Sequence, residues 1–343
     1  MDILIRFALS GFFSVVPMVF YLVVIWFMDR YEREPFWLVG LHFMWGATGA
    51  IMFGIIGSMI MGVGLSEFII QFASRTDAQK INTLAGAVVV APLVEECAKG
   101  VFVLVMSVNR NFDGPIDGAV YGGAVGLGFG MTENFLYFMS YGKTIESLLT
   151  LIIIRTLFSA VLHCCTQATF GAAIGFAKFR SPGVKLLVIP LGLITAMFIH
   201  FMWNLTVSFQ STELLGFVFM IVLVTFYFIA FQFGVYHEGK IILKELTDES
   251  NTTGYIPKAH LAYLPYTSRR FKKGWLPPTV DQRAYVKASV KLAFRKHQVK
   301  HMKGNSLASY QADIDSLRRK IYSMLFTQKQ PVNEPQLTPS PQS

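Results

Sequence analysis

Charge is the first thing this 343-residue chain is short of: Asp, Glu, Lys and Arg make up 15% of it, against 53% hydrophobic residues. Soluble domains carry roughly a quarter of their residues as charged side chains, so the composition excludes an ordinary globular domain of this length. Cysteine is scarce as well. Cys97, Cys164 and Cys165 each lie inside an apolar run, so neither a disulfide framework nor an oxidising compartment follows. The first apolar block lacks a small-residue cleavage site and is too long for a signal-peptide core, so it is expected to be a retained span. No internal duplication is visible, which counts against a transporter built from repeats. No span carries two His at i and i+4 around a Glu, the helix signature of many zinc proteases.

What the chain has in abundance is apolar sequence, with 31 Phe and a mean hydropathy of +0.48. It comes in blocks near or above the roughly 20 residues that cross a bilayer. Seven spans are predicted, at about 3–27, 36–63, 84–108, 115–139, 147–176, 184–209 and 214–237. The expected fold class is therefore all-α, a polytopic membrane helix bundle with a helical cytoplasmic tail. The stretch 64–83 is partly amphipathic and reads as lying on the membrane surface. With seven spans the termini fall on opposite sides. Placing the C-terminus inside puts Arg30, Arg33, Arg110, Lys178, Arg180 and Lys185 in inner loops against Arg75, Lys80 and Lys143 outside. That agrees with the positive-inside bias, N-terminus out and C-terminus in.

The net charge of +9 is unevenly spread: residues 239–343 hold 18 of the 30 Lys and Arg against 7 acidic residues. Three regions are expected, a membrane domain over 1–238, a basic tail with amphipathic helices over 239–327 and a disordered Pro/Gln/Ser-rich terminus over 328–343. In the tail, Arg283, Lys287, Lys291 and Arg295 recur every four residues and read as one basic helical face. Leu307, Tyr310, Ile314, Leu317, Ile321 and Met324 form a short heptad pattern, expected to pack on this protein or a partner. Beside a membrane domain such a tail points to anionic lipid or a protein partner, and nucleic acid is not expected.

Ionisable groups inside spans are costly and are functional candidates by default. Here they cluster: Glu95, Glu96 and Lys99 in the third span, Glu133 with Asn134 in the fourth, Arg155 and His163 in the fifth, His200 and Asn204 in the sixth. Counted from the outer ends of their helices, Glu95, Glu133, Arg155, His163 and His200 fall within about 15 Å of one another in depth, as one shared site would require. His200 and Asn204, four apart, share a helical face and suit an oxyanion site. Glu95 and Glu96 point about 100° apart, so one can act as base while the other is held by a cation, and Lys99 reaches either. Arg155, Ser159, His163 and Gln167 form another four-residue stripe. Structural readings stand beside these: an ion-pair knot for Glu95, Glu96 and Lys99, interhelical glue for His200 and Asn204, and a structural partnership between Glu133 and Arg155 or Lys99. Gly118, Gly122, Gly126 and Gly130, four apart, read as a helix-packing face.

The stretch Ala91-Pro-Leu-Val-Glu-Glu-Cys-Ala-Lys99 resembles the E-E-x-x-K signature of PrsW-type intramembrane proteases, within the wider superfamily of CAAX-processing and bacteriocin-processing enzymes. Phe129 through Glu133-Asn134, His163 with Gly171, His200-Phe-Met-Trp-Asn204 and the loop Asp29-Arg-Tyr-Glu-Arg-Glu-Pro35 are similar to further family motifs. The resemblance implies a bacterial cytoplasmic-membrane endopeptidase acting on membrane-anchored proteins of the anti-sigma-factor type. It implies Glu95 as the residue that activates water, Glu96 as its support, and His163, His200 and Asn204 as the groups that position water and stabilise the oxyanion. Lys99, Glu133, Asn134 and Arg155 are supporting candidates. The prenyl-protein branch has His where this chain has Glu133 and Arg where it has Lys99, so a prenylated substrate is not expected. No cofactor is favoured. Zinc is the alternative, with Glu95, Glu133, His163 and His200 as its candidate ligands; a proton-coupled transporter is the other.

Overall fold

The computed structural model describes residues 1–300, 302 and 305–326, and the terminus expected to be disordered, 328–343, lies outside them. All regular structure among the described residues is helical. The chain divides into two compact units, Met1–Tyr236 and His237–Ser343.

The first unit opens with α1 (Ile3–Met28), whose start is capped by Asp2 accepting from the Leu4 N–H. Next, α2 (Phe36–Trp45) begins directly after Pro35 and runs through a π turn, Gly46–Ala50, into α3 (Ile51–Ile70). Ser74 caps α4 (Arg75–Ala85), which passes through a second π turn, Gly86–Val90, into α5 (Ala91–Met106). Proline opens α6 (Pro115–Tyr141), where its fixed φ and missing N–H cost nothing. A Thr144–Ser147 capping box starts α7 (Ile145–Ile154), joined to α8 (Ala160–Ala177) by a third π turn at Arg155–Ser159. α9 (Pro182–Val207) and α10 (Glu213–Thr252) follow.

Five of these stretches are long and apolar enough to cross a membrane: Ile3–Met28, Phe36–Ile70, Ile145–Ala177, Pro182–Val207 and Glu213–Thr252. The two other expected spans are helical as well, α5 carrying Glu95, Glu96 and Lys99 and α6 a run of glycines. The stretch 64–83 is divided between the end of α3, a turn and α4. The outer surface is apolar, with Phe20, Ile60, Leu186 and Phe233 among many exposed large side chains. A water-facing surface does not expose so much; a lipid-facing one does.

Helix α6 runs through the middle, with nearly every residue from Ile116 to Gly130 buried. Its glycines make that possible. A Cβ on Gly118, Gly122 or Gly126 would lie 2.0 Å from the carbonyl oxygen of Gly171, Gln167 or His163 respectively, so α6 and α8 touch backbone to backbone. At the loop end of this helix, Asp29, Glu34 and Asp117 are buried together. Burial pushes the Asp29 carboxyl up to about 6. Burial, with Asp29, Asp113 and Glu32 nearby, pushes that of Glu34 up to about 9.

The second unit contains the end of α10, a short 3-10 turn (Lys258–Ala262), α11 (Gln282–Val299) and α12 (Asn305–Phe326). Tyr310, Ile314 and Ile321 of the heptad pattern are buried, and α12 packs on α11. Glu249 is enclosed by Lys296 at 2.6 Å and by Arg318 at 2.7 and 2.9 Å. The expected basic face fails at its last member: Arg295 is 2% exposed, over the Tyr310 ring, and donates to Gln298. Each four-residue step overshoots a full α-helical turn by about 40°, so three steps carry Arg295 roughly 120° round from Arg283.

Candidate active site

The third span contributes its ionisable residues through an interruption that its own sequence causes. Pro92 has no N–H to give, and the Ala91 N–H reaches back five residues to the Gly86 oxygen. The Ala87 carbonyl is thereby left without a helix partner, and Asn204 on α9 donates to it through Nδ2 at 2.8 Å. One amide hydrogen of Asn204 is thus committed to holding α9 against the π turn. The third π turn carries Arg155. Its wider winding offsets the forward drift of a four-residue stripe, and Arg155, Ser159, His163 and Gln167 are all buried.

Lys99 is the hub. Fully buried, its ammonium donates to Glu95 Oε2 at 3.2 Å and Glu96 Oε1 at 2.9 Å, lies 3.0 Å from His163 Nδ1 and sits over the Phe129 ring. An ammonium cannot accept, so His163 Nδ1 accepts from it and the ring proton resides on Nε2, which donates to Glu133 Oε2 at 2.8 Å. Arg155 forms an ion pair with the same Glu133 oxygen at 2.6 Å, donates to Asn134 Oδ1 at 3.0 Å and lies over the Tyr137 ring. Glu96 is fully enclosed. Its Oε1 accepts from His200 Nδ1 at 2.8 Å and its Oε2 from Gln167 Nε2 at 2.7 Å. Gln167 was legible in the sequence only as part of a stripe. Its signal was an amide four residues beyond His163 in an otherwise apolar helix.

The two adjacent glutamates therefore occupy different environments. Glu96 is walled in by Lys99, His200 and Gln167, whereas the Glu95 side chain keeps 14% of its surface and lines a cavity of about 350 Å³. Glu133, Arg155, Ser159, His163, His200 and Asn204 share that cavity, with Tyr137, Trp203 and Phe217 among its aromatic walls. Lys99, Glu96 and Asn134 stand behind the lining. All nine sequence candidates thus belong to one connected cluster. Three carboxylates, Glu95, Glu96 and Glu133, face Lys99 and Arg155 in it, beside the imidazoles of His163 and His200. Carboxylates and imidazoles that share hydrogen bonds beside a cavity are equipped for acid–base chemistry. Cys164 and Cys165 are free thiols but are not among the cavity residues.

A family described as "PrsW family intramembrane metalloprotease" matches residues 34–231, more than half of the chain. The chain belongs to the PrsW family. Protease PrsW of Bacillus subtilis (strain 168) is 26% identical over 191 residues, covering 54% of this chain and 77% of that protein. Protease PrsW of Geobacillus kaustophilus (strain HTA426) is 30% identical over 167 residues, 48% of this chain and 65% of that protein. The namesake of Oceanobacillus iheyensis is 26% identical over 212 residues, 61% of this chain and 88% of that protein. No solved structure matches the chain. Family and fold together make this an integral membrane protein and an intramembrane protease.

The family description names a metal, and the residues can be tested against one. Glu95, His163 and His200 each offer an atom within 4.8 Å of the other two, the right number for a catalytic zinc. Yet His163 has both ring nitrogens engaged, one by Lys99 and one by Glu133. Lys99 itself, touching both Glu95 and His163, already supplies a cation at the heart of the group. Only Glu95 and His200 Nε2 retain free donors among the three. As arranged, these three residues do not by themselves provide the three ligands that a catalytic zinc takes.

Proposed function

We propose that the protein hydrolyses peptide bonds of membrane-anchored proteins without a metal, with Glu95 as the base that activates water. The observation carrying this reading is the asymmetry of the glutamate pair: Glu95 lines the cavity while Glu96 is sealed behind it against Lys99, His200 and Gln167. A base must reach its water, and its support need not.

The steps follow from the contacts. Water in the cavity gives a proton to Glu95 as its oxygen bonds to the scissile carbonyl carbon. The developing oxyanion meets His200 Nε2–H, whose imidazolium is stabilised by the Glu96 bond at Nδ1, and the uncommitted Asn204 amide hydrogen. Collapse breaks the C–N bond, and the departing nitrogen takes the proton from Glu95, which returns to its starting state. His163, pinned between Lys99 and Glu133, keeps both groups oriented; Arg155 and Asn134 hold Glu133 in turn.

The substrate class we infer is single-span membrane proteins, of the anti-sigma-factor type that the family resemblance implies, cut in the cytoplasmic membrane of a bacterium by a protease with its N-terminus out and C-terminus in. The basic residues remaining exposed on the tail suit anionic lipid or a protein partner. Two experiments test the core of the proposal. Glu95→Gln and His200→Ala are expected to insert and fold but not cleave. A preparation stripped of metal by chelation, its metal content measured, is expected to keep cutting; loss of activity restored by zinc would transfer the site to the metal reading that the 4.8 Å grouping of Glu95, His163 and His200 favours.

A further inference from the structure

Three acidic side chains gather at the loop end of the first unit, far along the chain from one another. Asp29 follows α1, Glu34 precedes Pro35 at the start of α2, and Asp117 lies in the first turn of α6. All three are more than nine-tenths buried, with 2%, 4% and 7% exposure. One carboxylate oxygen from each lies within 4.8 Å of the other two. Two oxygens on opposite sides of a cation bound at about 2.4 Å stand about 4.8 Å apart, so this grouping fits inside one coordination sphere of a hard divalent ion.

The Asp29 carboxylate accepts from the Tyr31 and Glu32 backbone N–H groups and that of Asp117 from the Asp113 N–H, but one oxygen of the group is left over. Asp29 Oδ2 is buried without a hydrogen-bond partner. Arg33 spends its Nε on the Asp29 backbone oxygen, with its guanidinium over the Trp26 and Phe27 rings. Glu34 accepts from the Tyr121 hydroxyl, and its backbone oxygen accepts from Trp26 Nε1 at 2.7 Å. Three carboxylates with no imidazole or thiolate among the donors is the chemistry of Mg²⁺ or Ca²⁺, not of zinc.

We propose that Asp29, Glu34 and Asp117 bind a hard divalent cation, Mg²⁺ or Ca²⁺, which braces the loop between α1 and α2 against the start of α6. The site is separate from the Glu95 cavity and shares no residue with it. Its role is structural: α6 carries Glu133 and the glycine face that seats His163, so holding its first turn steadies the scaffold on which the catalytic cluster is built.

The test uses the full chain in nanodiscs of zwitterionic lipid, which removes ion binding by anionic headgroups. After chelation, Mg²⁺ and Ca²⁺ are titrated separately while thermal unfolding is followed, and Tb³⁺ is added as a luminescent probe excited through tryptophan. Trp26, bonded to Glu34, is well placed to sensitise it. The wild type is expected to unfold at higher temperature with at least one of the two ions and to give sensitised Tb³⁺ emission that the same ion displaces. Asp29→Asn and Glu34→Gln are each expected to lose both responses, whereas Glu95→Gln keeps them. A wild type that responds to neither ion overturns the proposal without recourse to any variant and leaves the three acids as proton-sharing partners. Responses that survive in both Asp29→Asn and Glu34→Gln, or that vanish in Glu95→Gln, also overturn it, the latter by moving the ion to the catalytic cavity.

Discussion

Replacing Gly126 by alanine probes the coupling between helix packing and the site more sharply than changing any ionisable residue. The new Cβ would meet the His163 carbonyl oxygen at 2.0 Å and its carbon at 2.4 Å, both backbone atoms with no rotamer to yield. Ordinary contact begins near 3.4 Å, so α6 and α8 must part by roughly 1.4 Å along that line. His163 rides on α8 while Glu133 rides on α6, and their 2.8 Å hydrogen bond fails if it lengthens by even part of that distance. Overpacking of this kind costs about 1–3 kcal/mol of stability, and a misplacement near 1 Å in a catalytic cluster costs on the order of 100-fold in rate. The matched control is Gly62→Ala, where a Cβ meets nothing within 4 Å and alanine is the better helix former. Both variants are compared with wild type for thermal stability and for cleavage of a single-span reporter in lipid vesicles. Wild-type rate and stability for Gly126→Ala would refute the claim that the glycine face seats His163.

Lys99→Met is expected to cost about 3–5 kcal/mol and to abolish cleavage, because it leaves buried Glu96 and Glu95 without their cation; thermal unfolding and the reporter assay check both. Asn204→Ala, which frees the Ala87 carbonyl, is expected to destabilise by about 1 kcal/mol, the usual scale for an interhelical hydrogen bond in lipid, and to reduce the rate through the lost oxyanion donor. Glu249→Gln should loosen the second unit by about 3–5 kcal/mol, since Lys296 and Arg318 close on that carboxylate; faster amide exchange along α11 and α12 is the readout.

The connected cluster was legible in the sequence because a charge in an apolar helix has few explanations. Glu95, Glu133, Arg155 and His200 each stood out against their spans, and agreement in depth tied them together. The glycine face was legible for the same kind of reason: four glycines four apart leave a strip with no side chains. The π turns were not, since one extra residue in a helical turn hardly alters an apolar pattern. Only Pro92 hinted at the second of them. The basic face was misread at Arg295 because a spacing of four drifts steadily around an α-helix, and three steps suffice to turn a side chain from surface to interior. In the sequence, Asp29 and Glu34 stood out only as members of the loop that is similar to a family motif, and Asp117 was not singled out. Nothing in linear order brings position 117 beside 29 and 34; the packing of α6 against α1 and α2 does so.

The division of labour between the adjacent glutamates is the centre of the account, and single-turnover cleavage by Glu95→Gln and Glu96→Gln, in a preparation free of metal, tests it most directly. Glu95→Gln is expected to unfold at the wild-type temperature and to cut on the order of 100- to 10,000-fold more slowly, as removal of a general base does. Glu96→Gln, stripped of the charge that Lys99 and His200 enclose, is expected to lose stability along with activity. Cleavage by Glu95→Gln at the wild-type rate would contradict the assignment outright.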